Sequence, residues 1–213
     1  MDRVPDSDLP NWAPLVLAYA REPLRSAIDA LLRFDRRLAR IVATATEPTL
    51  AQIRLAWWRD ELRKEREVGA PPPPDPLLAG LLFSWANDVN PVIGLIDGWE
   101  ALLEEQPWDE NALEQFARGR GEAFGGLARM AGHQAAVQAS AAHGRCWAKA
   151  DLALMRVGAP ATDIPDLPSL PKDLRSLAVI GGLARRSLLR GGKPLLGDRL
   201  SPLAALKLGI FGT

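Results

Sequence analysis

Cysteine occurs once, at Cys146, so no disulfide can form within the chain, and a lone thiol suits a reducing compartment. Histidine occurs twice, at His133 and His143. With Cys146 these give three donors where a closed zinc site takes four, and no acid follows to orient His143 beside a nucleophile. All three read as packing or surface polarity, and neither a metal nor a cofactor is expected. Net charge is absent too. The 26 basic residues balance the 26 acidic ones, which removes the bulk attraction that nucleic acid binding draws on. No apolar run approaches the ~20 residues that cross a bilayer. The opening run, Met1 to Asp8, is acidic and broken by proline, unlike a signal or transit peptide. The expectation is a cytoplasmic chain, with peripheral contact at the inner face of a membrane left open.

Strand signals are scarce, while helix signals recur. Leu24, Ile28, Leu31, Asp35, Leu38 and Val42 follow one another at spacings of four and three, one stripe of a helix. Thr49 can cap a second helix running to about Glu67, and the proline-rich run Gly69 to Pro76 then makes a stiff surface connector. Asn90-Pro91, Pro171 and Ser201-Pro202 each place proline where a helix can open. Helices are expected near 77–86, 91–105, 110–130 and 134–157, with breaks at 158–161 and 164–171 before the last ones. Gly119, Gly121, Gly125 and Gly126 lie inside a helical pattern without the strand a phosphate loop requires, so they read as close helix contacts. The 213 residues suffice for one well-buried core, and no repeat or boundary divides them. The fold class expected is all-α, a single domain over 1–213 of about eight helices.

Charges on the inner faces are the informative exceptions. Asp35 lies mid-stripe on the first helix. On the second, Leu50, Ile53, Trp57, Trp58 and Leu62 spread over a broad arc with Arg54 and Glu61 near its centre. A buried charge left unpaired costs several kcal/mol, so Arg54 is expected to bridge Asp35, Glu61 or both. Such a bridge either fixes the register of the hairpin or forms a polar floor beneath a pocket. Trp57 and Trp58 project about 100° apart, so one can fill the core while the other lines a groove. Arg36 and Arg40, four apart, are either solvated or grip a phosphate directly. From Arg185 to Phe211, basic residues mix with leucines, which suits either a terminal helix packed on the domain or an amphipathic helix on an anionic membrane.

Several segments resemble the squalene/phytoene synthase family. Leu31 to Val42 resembles the helix whose Phe-Cys-Arg-x-x-Asp-Asp-x-x-Asp run holds Mg²⁺ against a prenyl diphosphate; the three carboxylate positions are Ala39, Arg40 and Ala43 here. Leu95 to Glu100 resembles Leu-Ile-x-Gly-Met, with Leu102 at the following aspartate. Phe116-Ala117, Gly121, Gly125 and Leu127 resemble Tyr-Cys-x-x-Val-Ala-Gly-x-Val-Gly, with Glu122 replacing a small residue. Ala150 to Val157 resembles the second acidic motif, where Arg156 matches but Ala153 stands at the amide and Val157 at the metal-binding aspartate. Asp151 shares that helix at a different phase. The likeness fades after about residue 160, and the Gly-Arg-x-Tyr-Leu-Pro close of the second motif is absent.

The resemblance implies an isoprenoid-synthase-like bundle, and the substitutions bear on its chemistry. Mg²⁺ takes oxygen ligands, chiefly carboxylates and substrate phosphates, and a face of Arg36, Ala39, Arg40 and Ala43 offers none. Glu47 to Arg59, which matches Glu-Pro-x-Leu-x-Gln-Ile-Arg-Leu-x-Trp-Trp-Arg, is similar to a non-catalytic branch. That branch includes the mitochondrial complex I assembly factor with a squalene/phytoene synthase-like domain. This implies a catalytically degenerate protein that acts by binding an isoprenoid, an anionic lipid or a subunit of a membrane complex. Two alternatives stand beside it. One is an active prenyl transferase using Asp35, Glu122 and Asp151. The other is an interaction module without a ligand.

Overall fold

The computed structural model describes residues 9–67, 69–104, 106–155, 164, 166–196 and 205–209. Among them there are eight α-helices that set the architecture, and no strand. They are α1 (Ala13–Ala18), α2 (Leu24–Ala43), α3 (Pro48–Arg63), α4 (Pro76–Ser84), α5 (Asn90–Glu100), α6 (Glu110–Met130), α7 (Val137–Leu154) and α8 (Arg175–Leu189). The fold is all-α and isoprenoid-synthase-like, as expected.

Local chemistry places the helix starts. Proline occupies the first turn of α1, α3, α4 and α5, where its missing N–H has no intrahelical partner to lose. Asp75 caps α4 by accepting from the Leu77 and Leu78 amides, and Asp109 caps α6 by accepting from Ala112. Thr49 is not a cap. Glu47 holds that position, and Pro48 opens α3 two residues earlier than the sequence suggests. α1 is too short to leave a periodic signal. Pro171 precedes a 3₁₀ turn, Lys172–Leu174, that leads into α8. The expected start at Ser201-Pro202 lies outside the described residues.

α6 packs along α5 on one side and α7 on the other, and α7 packs on α8. α2 lies against α3, α4, α5 and α6. Two glycines make the close approach possible. A Cβ on Gly119 would stand 2.4 Å from the Gly94 carbonyl oxygen, and one on Gly144 would stand 2.4 Å from that of Arg120. One apolar core runs from Trp12 to Ala205. α8 contributes Leu177, Val179, Ile180, Leu183 and Leu188 to it, while Arg185 pairs outward with Asp166, so this helix is packed on the bundle. Arg199 and Phe211 lie outside the described residues. No helix among the described residues is long and apolar enough to cross a membrane.

Candidate functional site

Asp35 is buried in the α2 stripe, as its place between Leu31 and Leu38 predicts. Its partner is Arg120 of α6. The Arg120 guanidinium donates from Nη2 to Asp35 Oδ2 at 2.8 Å and from Nε to Oδ1 at 3.1 Å. Its Nη1 donates to Asp151 Oδ2 of α7 at 2.6 Å, and the Trp99 indole of α5 donates to Asp35 Oδ1 at 2.9 Å. Three aromatic rings enclose the cation, with Trp147 at 3.8 Å, Phe116 at 4.6 Å and Trp99 at 5.6 Å from the guanidinium carbon. Arg120 is 1% exposed, so four helices close around one charge.

Burial alone would lower the Arg120 pKa. Asp35 and Asp151 outweigh it and hold the guanidinium charged, above its ordinary value. Asp151 is displaced in the opposite sense from a usual ion pair. Burial pushes its carboxyl up, Arg120 pulls it down, Asp35 repels it, and the net direction is upward. Burial is the largest cause, and Arg120 does not offset it because that one cation is shared with Asp35, which takes two of its donors.

Arg54 does not bridge Asp35 or Glu61. It is exposed, and Glu61 pairs with Arg66 at 2.9 Å and Lys64 at 3.4 Å. The buried stripe of α3 is Ala51, Leu55, Trp58 and Leu62. Leu50, Ile53 and Trp57 widen the apolar arc in the sequence but face outward, and this shifts the inner face away from Arg54 and Glu61. The two tryptophans do divide. Trp58 is in the core, its ring 5.0 Å from that of Phe34, while Trp57 is half-exposed and edge-on to Trp58 at 5.1 Å.

Between α2 and α3 runs an open groove of about 630 Å³. Ile41 and Trp58 lie beneath it, and Ile53 and Trp57 form its apolar wall. Arg37, Arg40 and Arg54 supply the charge. Arg37 lies over the Trp58 ring at 5.7 Å and reaches Asp75 at 3.8 Å. The groove thus joins Arg40, Arg54, Trp57 and Trp58, four of the residues singled out from the sequence. Arg36 does not join them. It is exposed and acts electrostatically on Asp151.

Ala39 is half-buried against the core and Ala43 is exposed. Ala153 packs where α7 meets Gly192. Arg156 and Val157 lie outside the described residues. Glu122 is exposed on α6 with its carboxylate beside Gly94, so it does not converge with Asp35 and Asp151. Among the described residues no group of three or more His, Cys, Asp or Glu is placed to hold a metal ion. Arg59 joins two of the motif-like segments by donating to Asp97 at 2.7 Å and Glu100 at 2.5 Å, which ties α3 to α5.

A family model described as squalene/phytoene synthase matches residues 13–154, from the start of α1 to the end of α7. No curated protein and no solved structure matches the chain.

Proposed function

Because the chain belongs to the squalene/phytoene synthase family, we propose that it is a catalytically degenerate member that acts by binding, in the service of a membrane enzyme complex. The observation that carries this is the placement of Arg120. A guanidinium occupies both Asp35 and Asp151, acids on α2 and α7, the two helices to which the family resemblance assigns the metal-binding motifs. Magnesium requires oxygen donors that are not already committed to a cation. Ala39, Arg40 and Ala43 supply none, Arg120 engages Asp35 and Asp151, and Glu122 stands apart, exposed beside Gly94. The donor set does not fit the metal.

An isoprenoid or an anionic lipid suits the chain as a ligand because cationic and apolar surface lie together between α2 and α3. The site of action follows as the aqueous face of a membrane. The test is incubation of the full chain with prenyl diphosphates and Mg²⁺, with product analysis. No turnover is expected. Turnover that disappears in Asp35→Asn and Asp151→Asn would establish an active prenyl transferase instead.

A further inference from the structure

The α2–α3 groove carries a feature that the family chemistry does not use. On α3, Leu50 is 46% exposed, Ile53 61% and Trp57 47%. Their spacing of three and four places them in one stripe along the helix. Core-facing residues of a water-soluble bundle do not look like this, since the same helix already buries Ala51, Leu55, Trp58 and Leu62 on another face. α3 is thus apolar on two faces, one of which has nothing in the described structure packed over it.

What flanks that second face is cationic. Arg37, Arg40 and Arg54 line the groove beside it, Arg37 also reaching Asp75 at 3.8 Å, and among the described residues no carboxylate lines the groove itself. Arg54 is exposed and makes no ion pair among the described residues. An exposed apolar stripe with tryptophan, bordered by arginine, matches the boundary between phosphate headgroups and acyl chains. The ring of Trp57 is amphipathic and suited to that depth, and guanidinium groups bind phosphate with charge-assisted hydrogen bonds.

We infer that this face docks on an anionic phospholipid surface, with a headgroup phosphate at the exposed Arg54 and with Ile53 and Trp57 entering the acyl boundary. Charge complementarity selects this occupant. A bilayer accounts for the arginines and the outward tryptophan together, with charge at the headgroups and the ring at their depth; a protein partner is the outcome in which the chain ignores vesicles. The inference deepens the binding role proposed above and rests on it only for its biological purpose.

Flotation of the full chain with vesicles tests it. One set is phosphatidylcholine alone; the other is equimolar phosphatidylcholine and phosphatidylglycerol. The chain is expected to float with the anionic vesicles, to ignore the neutral ones, and to be released as salt is raised. Arg54→Glu reverses one charge and should weaken binding about tenfold or more, given roughly 1 kcal/mol per basic residue at such a surface. Ile53→Asp should do the same through the apolar stripe. Phe83→Asp, at an 84% exposed residue of α4 outside the groove, should float like the parent. All three positions are exposed enough that the fold is retained, which circular dichroism checks. Equal recovery with both vesicle sets overturns the inference. So does parent-like flotation of both groove variants, and so does a chain that ignores vesicles but self-associates through Ile53. Prenyl diphosphate turnover in a chain that still floats would refute the non-catalytic role and leave the docking face standing. An inert chain that does not float would refute the docking face alone.

Discussion

Arg120 and Asp35, 85 residues apart in the chain, meet as a two-point pair in which each Asp35 oxygen accepts one guanidinium N–H. The third donor direction goes to Asp151, and the face of the cation goes to Trp147. The cluster closes the space among α2, α6 and α7 with one cation set between two carboxylates. Buried ion pairs of this kind owe their importance to what happens when one half is lost, because the survivor is then stranded without water.

Removal of Arg120 is the sharpest probe of that dependence. Arg120→Met should cost about 3–5 kcal/mol in urea unfolding, since Asp35 is left buried with only the Trp99 indole as donor. The double variant Asp35→Leu with Arg120→Met should lose clearly less than the sum of the two single changes, which a double-mutant cycle measures. Additive losses would mean that the pair is not coupled.

Asp151 gives the cluster an unusual pH dependence. Its folded-state pKa lies above the unfolded value, so the folded chain keeps a proton that the unfolded chain has released. This contribution to stability is present at low pH and is lost as pH rises from about 4, the ordinary aspartate value, through the raised value. Asp151→Asn should remove that slope while keeping an acceptor for Arg120. Unfolding free energies of parent and variant, measured across this range, should converge at the acid end and part as pH rises.

The two neighbouring tryptophans should respond very unequally to truncation. Trp58→Ala opens a void beside Phe34 in the core and should cost about 3–5 kcal/mol. Trp57→Ala removes a ring that is 47% exposed and should change stability by about 0.5 kcal/mol or less, with the parent fold kept. Thermal unfolding of the two variants reads the difference directly.

These contrasts show where the sequence was legible and where it was not. The helices from α2 to α8 follow from periodicity, capping residues and prolines, because each of those signals is local. Asp35 was legible as an inward charge for the same reason. Its partner was missed although the signal existed: Arg120 sits four residues from both Phe116 and Phe124, inside an apolar stripe as clear as that of Asp35. Counted from Phe116, it falls on the valine of the helix pattern that the segment resembles. Arg54 drew attention instead because Leu50, Ile53 and Trp57 imitate a core face. Periodicity reports that a face is apolar, and it is blind to whether another helix covers that face. The groove between α2 and α3 depends on how two helices are set against each other, which no spacing within either one encodes.

His143 tests a different part of the packing. It is buried on α7, its Nε2 donates to the Pro168 carbonyl at 2.8 Å, and its Nδ1 has no partner among the described residues. Burial lowers its pKa, and the Pro168 carbonyl opposes this only in part. A lowered histidine pKa means that the unfolded chain takes up a proton before the folded one does. Stability should therefore be intact above about pH 6.5 and fall as pH drops from there through the depressed value. His143→Gln should flatten this part of the profile. The ring also lies against Gly181, where an added Cβ would collide with Nδ1, so Gly181→Ala should destabilise by about 1–3 kcal/mol through overpacking. If that variant is as stable as the parent, α7 and α8 are not in the close contact described.

Cys146 offers the last check, because burial dominates its chemistry. The thiol is fully buried on α7 with the Gly181 carbonyl 3.8 Å from its sulfur, and burial pushes its pKa up to about 11. Lys149 and Arg185 draw it down, but not enough to offset the loss of water. Thiolate is the reactive form, so at pH 8 the folded chain should hold the group almost wholly protonated and out of reach of reagent. A disulfide exchange reagent should leave the native protein unlabelled and react with one equivalent per chain once urea unfolds it. Raising the pH to 9 without denaturant should change little, since access and ionisation both have to be gained. Prompt labelling of the native chain would place Cys146 at the surface, and the α7–α8 contact would have to be redrawn.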